Sequence, residues 1–176
     1  MRFPPLVKID IGIDKCFNVQ EKRNIIEGLI RWQDGTDGLV LFHIGNMSMN
    51  KLIMDEDDGY TNYSINIVKA YSTDKAIQEY VEENSNKING LASWHEGTTI
   101  AFIVVDKLKT NYEFVGLVMH EIGHLLGLKH APPGTIMYRY SEKRRIRYGG
   151  SRRPTVVTPA DRYHLIGAWR KWLRLD

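Results

Sequence analysis

Three histidines and a glycine within residues 120–130 constrain this chain more than any other feature. His120 and His124 are four residues apart, so on a helix they lie about 40° apart around its axis and both imidazoles project from one face. One metal ion can bridge two imidazoles in that arrangement. Gly127 can adopt a positive φ and turn the chain, so that His130 comes back toward the pair. Three neutral imidazoles leave a fourth tetrahedral position open, which is typical of catalytic zinc and not of structural zinc.

Glu121 follows the first histidine and adds a general base to this arrangement. Its carboxylate can reach water at the metal and take up a proton while a carbonyl is attacked. A core helix with incidental histidines is the competing interpretation. A window matches the five positions by chance only about once in ten million, which disfavours that interpretation. The sequence therefore predicts one catalytic Zn²⁺ held by the three histidines, with Glu121 as the catalytic residue.

The spacing resembles the HExxHxxGxxH signature of the metzincin clan of zinc peptidases without a mismatch. Members of the clan also have a methionine in a turn beneath the metal. Met137 follows His130 at a suitable short distance, and the resemblance implies that it occupies this methionine turn. An ordinary buried methionine is the alternative.

Length and composition fit one globular domain. At 176 residues, with 43% apolar and 26% charged content, the chain can bury a substantial core. We expect a single catalytic domain over residues 1–176, with an upper part of about 1–127 and a smaller C-terminal part of about 128–176. The net charge of +3 is mild and does not by itself indicate a polyanionic partner.

Cys16 is the only cysteine, so the chain cannot form an internal disulfide and shows no sign of an oxidising compartment. The first residues lack the hydrophobic segment of a signal peptide, and no apolar run approaches the roughly 18 residues of a membrane span. We expect a cytoplasmic monomer by default, with leaderless export and a viral origin as open alternatives.

The periodicity of apolar residues predicts alternating strands and helices. A capping box at residues 18–21 opens the first helix, and a second at residues 110–113 opens the helix of the histidines, which we expect to end near Leu126. Thr158 followed by proline opens a last helix. Strands are predicted at residues 6–13, 39–44, 63–67, 91–94 and 99–105, and a short helix at about 73–83.

Within the clan, this order of elements is similar to that of the matrixin catalytic domain over nearly the whole chain. The resemblance implies an α/β fold, or α+β in some schemes. The fold has a twisted, mostly parallel five-stranded mixed sheet that is backed by two helices, one of which is the long zinc-binding helix. A methionine turn and a C-terminal helix follow. The antiparallel edge strand of matrixins pairs with the substrate backbone, and residues 90–94 loosely match its Gly-x-Leu-Ala sequence. The resemblance implies substrate-binding residues at Leu91, Ala92, Ser93, Trp94, Tyr138 and Tyr140.

Some positions depart from the matrixin pattern. Ser93 stands where matrixins have a histidine of a second, structural zinc site, and His95 is off register, so we expect no structural zinc there. Arg139 replaces the proline of the pocket wall, so the shape of the specificity pocket cannot be inferred. Arg139 also stands at the position where other metzincins carry a tyrosine that binds the metal, so we expect no tyrosine ligand in this chain.

Two further departures concern activation. Cys16 lies between a strand and a helix without the motif of a cysteine-switch propeptide. The last helix keeps Asp161, but Arg162 replaces the second aspartate, which matrixins pair with an N-terminus freed on activation. Both features predict a chain made without an inhibitory prosegment.

The sequence thus predicts a zinc-dependent endopeptidase that acts on peptide or protein substrates. The alternative is a non-proteolytic binding or assembly subunit in which zinc mainly braces the fold, and the intact Glu121 argues against it. The basic residues 143–153 can bind an acidic or nucleic-acid-associated partner, and the acidic residues 55–59 can bind calcium. A solvated loop is the favoured interpretation of both segments. His43 and His164 lack metal-ligand spacing and are interpreted as structural or surface residues.

Overall fold

The computed structural model describes residues 7–44, 64–84, 89–95, 98–139 and 154–173. The acidic segment 55–59, the basic segment 143–153 and Tyr140 lie outside these ranges, so what was predicted for them stays a prediction. Within the described ranges, no helix is both long and apolar enough to cross a membrane.

Five strands form one sheet in the spatial order β2-β1-β3-β5-β4. Their bounds are β1 Val7–Ile13, β2 Val40–Ile44, β3 Ser64–Ala70, β4 Gly90–His95 and β5 Thr98–Val104. β1 pairs in parallel with β2 and β3, and β3 pairs in parallel with β5, whereas β4 runs antiparallel to β5 at the edge. The predicted α/β fold with a mixed five-stranded sheet and an antiparallel edge strand is confirmed.

The helices of the described ranges are α1 Val19–Gly35, α2 Lys75–Asn84, α3 Asn111–Leu125 and α4 Pro159–Leu173. Each starts within two residues of its predicted position, because helix starts depend on local cap chemistry. At the start of α1, the Asn18 side chain accepts from the Glu21 N–H at 2.9 Å, and the Glu21 carboxylate accepts from the Asn18 N–H at 2.7 Å.

The main hydrophobic core lies between the sheet and helices α1 and α3. Ile9, Ile11 and Ile13 alternate along β1, and all three side chains are buried in this core. Trp32 of α1 is fully buried, and its indole N–H donates to the carbonyl of Met119 in α3 at 2.9 Å. This bond and the packing around it hold α3 against α1.

A smaller core lies on the opposite face of the sheet, under α2. Ala70 of β3 and Val104 of β5 face Ile77 there. Successive side chains of a strand point to opposite faces of the sheet, so Ile67 and Ile103 on the same two strands lie in the main core. The three helices α1, α2 and α3 therefore cover both faces of the sheet.

A partly buried ion pair joins β3 to the start of α1. Lys69 Nζ lies 2.8 Å from Glu21 Oε2, and the two side chains are only 10% and 15% exposed. Burial alone would lower the pKa of Lys69, but the hydrogen bond and the charge of Glu21 raise the pKa above its ordinary value. The same carboxylate that completes the α1 cap thus also ties this helix to the sheet.

Candidate metal centre

Helix α3 carries two of the histidines and the glutamate through the interior of the protein. The Thr110 hydroxyl caps this helix by accepting from the Glu113 N–H at 3.1 Å, while the Glu113 carboxylate accepts from the N–H of Lys109. The predicted helix start is confirmed. Residues 114–123 are all buried, with α1 and the sheet packed around them.

Gly127 ends this helix and reverses the chain. Its φ is +93°, and its N–H donates to the carbonyl of His124, while the Leu128 N–H donates to the carbonyl of Gly123, both at 2.9 Å. These two bonds form a Schellman motif, which favours glycine at the left-handed position. The turn brings His130 back beside the end of the helix, as the sequence predicts.

The three predicted histidines converge on one point. Nε2 of His124 lies 3.2 Å from Nε2 of His120 and 3.2 Å from Nε2 of His130, and the three possible ligand atoms all lie within 4.8 Å of one another. Tetrahedral Zn–N bonds of about 2.05 Å place two ligand nitrogens about 3.3 Å apart. Since His120 is buried, His124 half-buried and His130 exposed, the centre opens to solvent on the side of His130.

Hydrogen bonds to the opposite ring nitrogens determine the protonation of two of these histidines. Nδ1 of His120 donates to the carbonyl of Ile136, and Nδ1 of His124 donates to the carbonyl of Leu128, each at 2.9 Å. A carbonyl oxygen can only accept, so in the neutral rings both Nε2 atoms present lone pairs. Two lone pairs that face each other across 3.2 Å cannot hydrogen-bond, and a cation between them removes the repulsion. The donor set therefore fits zinc.

The predicted methionine turn lies against α3. Ala131 and Tyr138 form an isolated bridge that closes the turn, and the Ala131 N–H donates to the carbonyl of Met137 at 3.0 Å. Met137 is only 1% exposed, and a Cβ at Gly123 would overlap its sulfur. The helix thus lacks a side chain at Gly123, immediately before His124, where the methionine packs.

Asp161, at the start of α4, holds this turn in place. Its carboxylate is fully buried and accepts from the Ile136 N–H at 3.1 and 3.2 Å. It also accepts from the Thr158 N–H at 3.0 Å and from the Thr158 hydroxyl at 2.6 Å. The carbonyl of Ile136 is in turn the acceptor for His120. Sequence reasoning noticed Asp161 as an aspartate shared with matrixins but missed its bond to Ile136, because the two residues are 25 positions apart.

Glu121 lies between α3 and the first residue of the edge strand. Its side chain is 5% exposed. A Cβ built on Gly90 would lie 2.7 Å from Glu121 Oε1 and 2.9 Å from its Cδ, so the carboxylate rests against the strand backbone. A buried carboxylate beside a metal-ligand candidate and next to an edge strand is suitably placed to exchange protons with a substrate.

The predicted substrate-binding residues fall on β4 and on the methionine turn. Leu91, Ala92, Ser93 and Trp94 all lie in β4, where the first two are half-buried. The side chains of Ser93 and Trp94 are outside the described part of the chain, and the prediction of no structural zinc at Ser93 stays a prediction. Tyr138 is half-buried beside the turn. Because α3 packs against β4 and the turn packs against α3, the structure brings these two groups to the same helix.

Other positions that the sequence singled out lie away from the histidines. His43 is exposed on β2, at the opposite edge of the sheet, and its Nδ1 lies 3.0 Å from Asp10 Oδ1. His164 is exposed on α4. Arg162, which replaces an aspartate of matrixins, pairs with the carboxylate of Asp37 in the turn after α1. The arginine therefore ties α4 to the upper part of the fold.

Comparison with known proteins agrees with this geometry. The family model for matrixins matches residues 21–149, more than two thirds of the chain, and its range includes the three histidines and Met137. No curated protein matches the chain. Both the mixed sheet and the three-histidine cluster lie largely within the matched range. The chain therefore belongs to the matrixin family, a family of zinc-dependent peptidases.

Proposed function

We propose that this chain is a zinc-dependent endopeptidase that binds one Zn²⁺ through His120, His124 and His130. The observation that carries the proposal is the convergence of three imidazoles, two of which turn an Nε2 lone pair inward because Nδ1 donates to a main-chain carbonyl. Membership of the matrixin family supports both the metal and the class of reaction.

Glu121 acts in this proposal as the general base. When bound, zinc polarises the scissile carbonyl and lowers the pKa of the attacking water. Glu121 accepts the proton of that water and passes it to the nitrogen of the leaving amine as the C–N bond breaks. Its burial and its contact with the backbone of β4 support this role, because they hold the carboxylate against the strand that we propose binds the substrate.

The edge strand β4 provides the surface for the substrate. One of its edges pairs with β5, and no other strand of the described ranges pairs with its outer edge. An extended peptide can add to such an edge through main-chain hydrogen bonds, which give affinity without demanding a particular sequence. Leu91, Ala92, Ser93 and Trp94 would line this strand side of the substrate, with Tyr138 and Tyr140 near the pocket. A peptide bound in this way extends past the metal in both directions, as endopeptidase action requires.

Two substitutions separate the base from the metal ligands. Glu121→Ala should retain one zinc per chain while kcat/KM falls about 10²–10⁴-fold, the usual contribution of a general acid–base group. His120→Ala should lose zinc as well as activity. Glu79→Ala is the matched control, because Glu79 is an exposed carboxylate on α2 whose loss should change neither quantity. An undiminished rate in Glu121→Ala would rule out its role as the base.

A peptide library distinguishes the endopeptidase from a binding or assembly subunit. Cleavage that stops with a chelator and returns with added zinc supports the proposal. A zinc-loaded protein that binds peptides but cuts none would replace it with the binding function. Mass spectrometry of the products identifies internal cleavage, which an exopeptidase would not produce.

A further inference from the structure

We infer that Gly90 is a positioning residue for Glu121, an inference that rests on the proposed function of that carboxylate. A Cβ on Gly90 would lie 2.7 Å from Oε1, 2.9 Å from Cδ and 2.9 Å from Cγ of Glu121. Three atoms of one side chain thus occupy the space that any residue other than glycine would need. The first residue of the edge strand therefore determines where the carboxylate lies.

Backbone conformation does not explain a glycine at this position. Within the described ranges, positive φ occurs at Asp37, Gly38, Gly127 and Gly134, and Gly90 is not among them. A strand gains nothing from glycine, which weakens strands by roughly 0.5–1 kcal/mol relative to alanine. Glycine inside a strand often marks the close approach of another group, and the group found here is Glu121.

Glu121 has little room to yield to a larger neighbour. It is 5% exposed, and the helix residues on both sides of it are buried. A methyl group at position 90 would therefore move the carboxylate away from the edge strand, toward a position less suited to proton transfer. The histidines should stay in place, because the carbonyls of Ile136 and Leu128 orient His120 and His124, and the three atoms nearest to a Cβ on Gly90 all belong to Glu121. A substitution at Gly90 should therefore lower the catalytic rate and leave zinc binding nearly unchanged.

The activity test compares Gly90→Ala with the original chain. A displacement of about 1 Å at a reacting group lowers a rate by about 100-fold, so we expect kcat to fall about 10- to 100-fold with a small change in KM. Zinc affinity, measured by competition with a chelator, should change less than about twofold, in contrast to the 10- to 100-fold loss typical of a misoriented ligand. Gly167→Ala is the control, since a Cβ there meets no atom within 4 Å.

The contact itself is tested without activity, by thermal unfolding. Overpacking typically costs about 1–3 kcal/mol, so Gly90→Ala should lower Tm by about 3–8 °C in a chain of this size. In a Glu121→Ala background the obstructing side chain is gone, and the same substitution should no longer lower Tm. If Gly90→Ala fails to fold while Gly90→Ala/Glu121→Ala folds, the inference is also supported.

The inference would be overturned if kcat of Gly90→Ala were unchanged, whether or not KM rose. An equal loss of Tm in the original and the Glu121→Ala backgrounds would also overturn it. A double variant that fails to fold would overturn it too, since the obstruction would then lie elsewhere. If the original chain cuts no peptide, the proposed function fails, yet the two Tm comparisons still decide whether position 90 and Glu121 share this space.

Discussion

Asp161→Asn tests how strongly α4 controls the metal centre. The carboxylate is fully buried and accepts from the Ile136 N–H and from both the N–H and the hydroxyl of Thr158. Within the described ranges, Oδ1 accepts from the Ile136 N–H, whereas Oδ2 accepts from the Ile136 N–H and from Thr158. An amide has one oxygen, so when that oxygen faces Thr158 the NH₂ group takes the place of Oδ1. The substitution keeps the shape of the side chain but removes its charge and the acceptor at 3.1 Å, and it places a buried donor against the Ile136 N–H.

The size of the effect follows from these bonds. A hydrogen bond to a charged acceptor contributes about 1.5–3 kcal/mol, and a helix cap about 1 kcal/mol. We expect Asp161→Asn to lower the free energy of unfolding by about 2–4 kcal/mol, a large part of the 5–15 kcal/mol that is typical of a domain. Because the carbonyl of the same residue, Ile136, orients His120, zinc affinity should fall about 10- to 100-fold.

Two measurements check this expectation. Urea unfolding of the metal-free protein gives the loss of stability, and competition with a chelator gives the zinc affinity. Asp37→Asn is the control. Asp37 is an exposed carboxylate in the turn after α1, and it pairs with Arg162, which follows Asp161 on α4. Such surface pairs contribute only about 0–1 kcal/mol. If Asp161→Asn lost stability but bound zinc with unchanged affinity, the idea that α4 orients His120 through the backbone of Ile136 would be refuted.

Three further predictions concern other residues. Gly127→Ala should cost about 1–2 kcal/mol because of its positive φ, and should weaken zinc binding by displacing His130; an unchanged zinc Kd would contradict this. Gly123→Ala should lower stability by about 1–3 kcal/mol, because its methyl group overlaps the sulfur of Met137, and urea unfolding measures the loss. Burial lowers the pKa of Lys69, but the hydrogen bonds and charge interactions with Glu21 and Tyr71 together raise this pKa above 10.5. The stability from the Lys69–Glu21 ion pair is therefore complete below pH 10.5 and is lost as the pH rises through the folded-state pKa. The alkaline fall of Tm should therefore be smaller in Lys69→Met.

The parts of the fold that were predicted correctly depend on residues close together in the chain. The starts of α1, α3 and α4 follow from caps that bond three positions along, and the alternating isoleucines of β1 report one buried face. Features that need a partner from elsewhere in the chain were not predicted. Helix α3, for example, is buried over residues 114–123, with α1 and the sheet packed around it.

The sequence by itself determined the ligand set and its order, because a helix of 3.6 residues per turn and a glycine that accepts positive φ fix the relation of His120, His124 and His130 locally. Only the tertiary structure decided what surrounds these residues. Glu121 rests on Gly90 of the edge strand. Ile136 lies between His120 and Asp161, because its carbonyl accepts from His120 and its N–H donates to the buried carboxylate of Asp161. Such contacts join segments far apart in the chain, and no periodicity records them, because they exist only once the sheet, α3 and α4 have packed together.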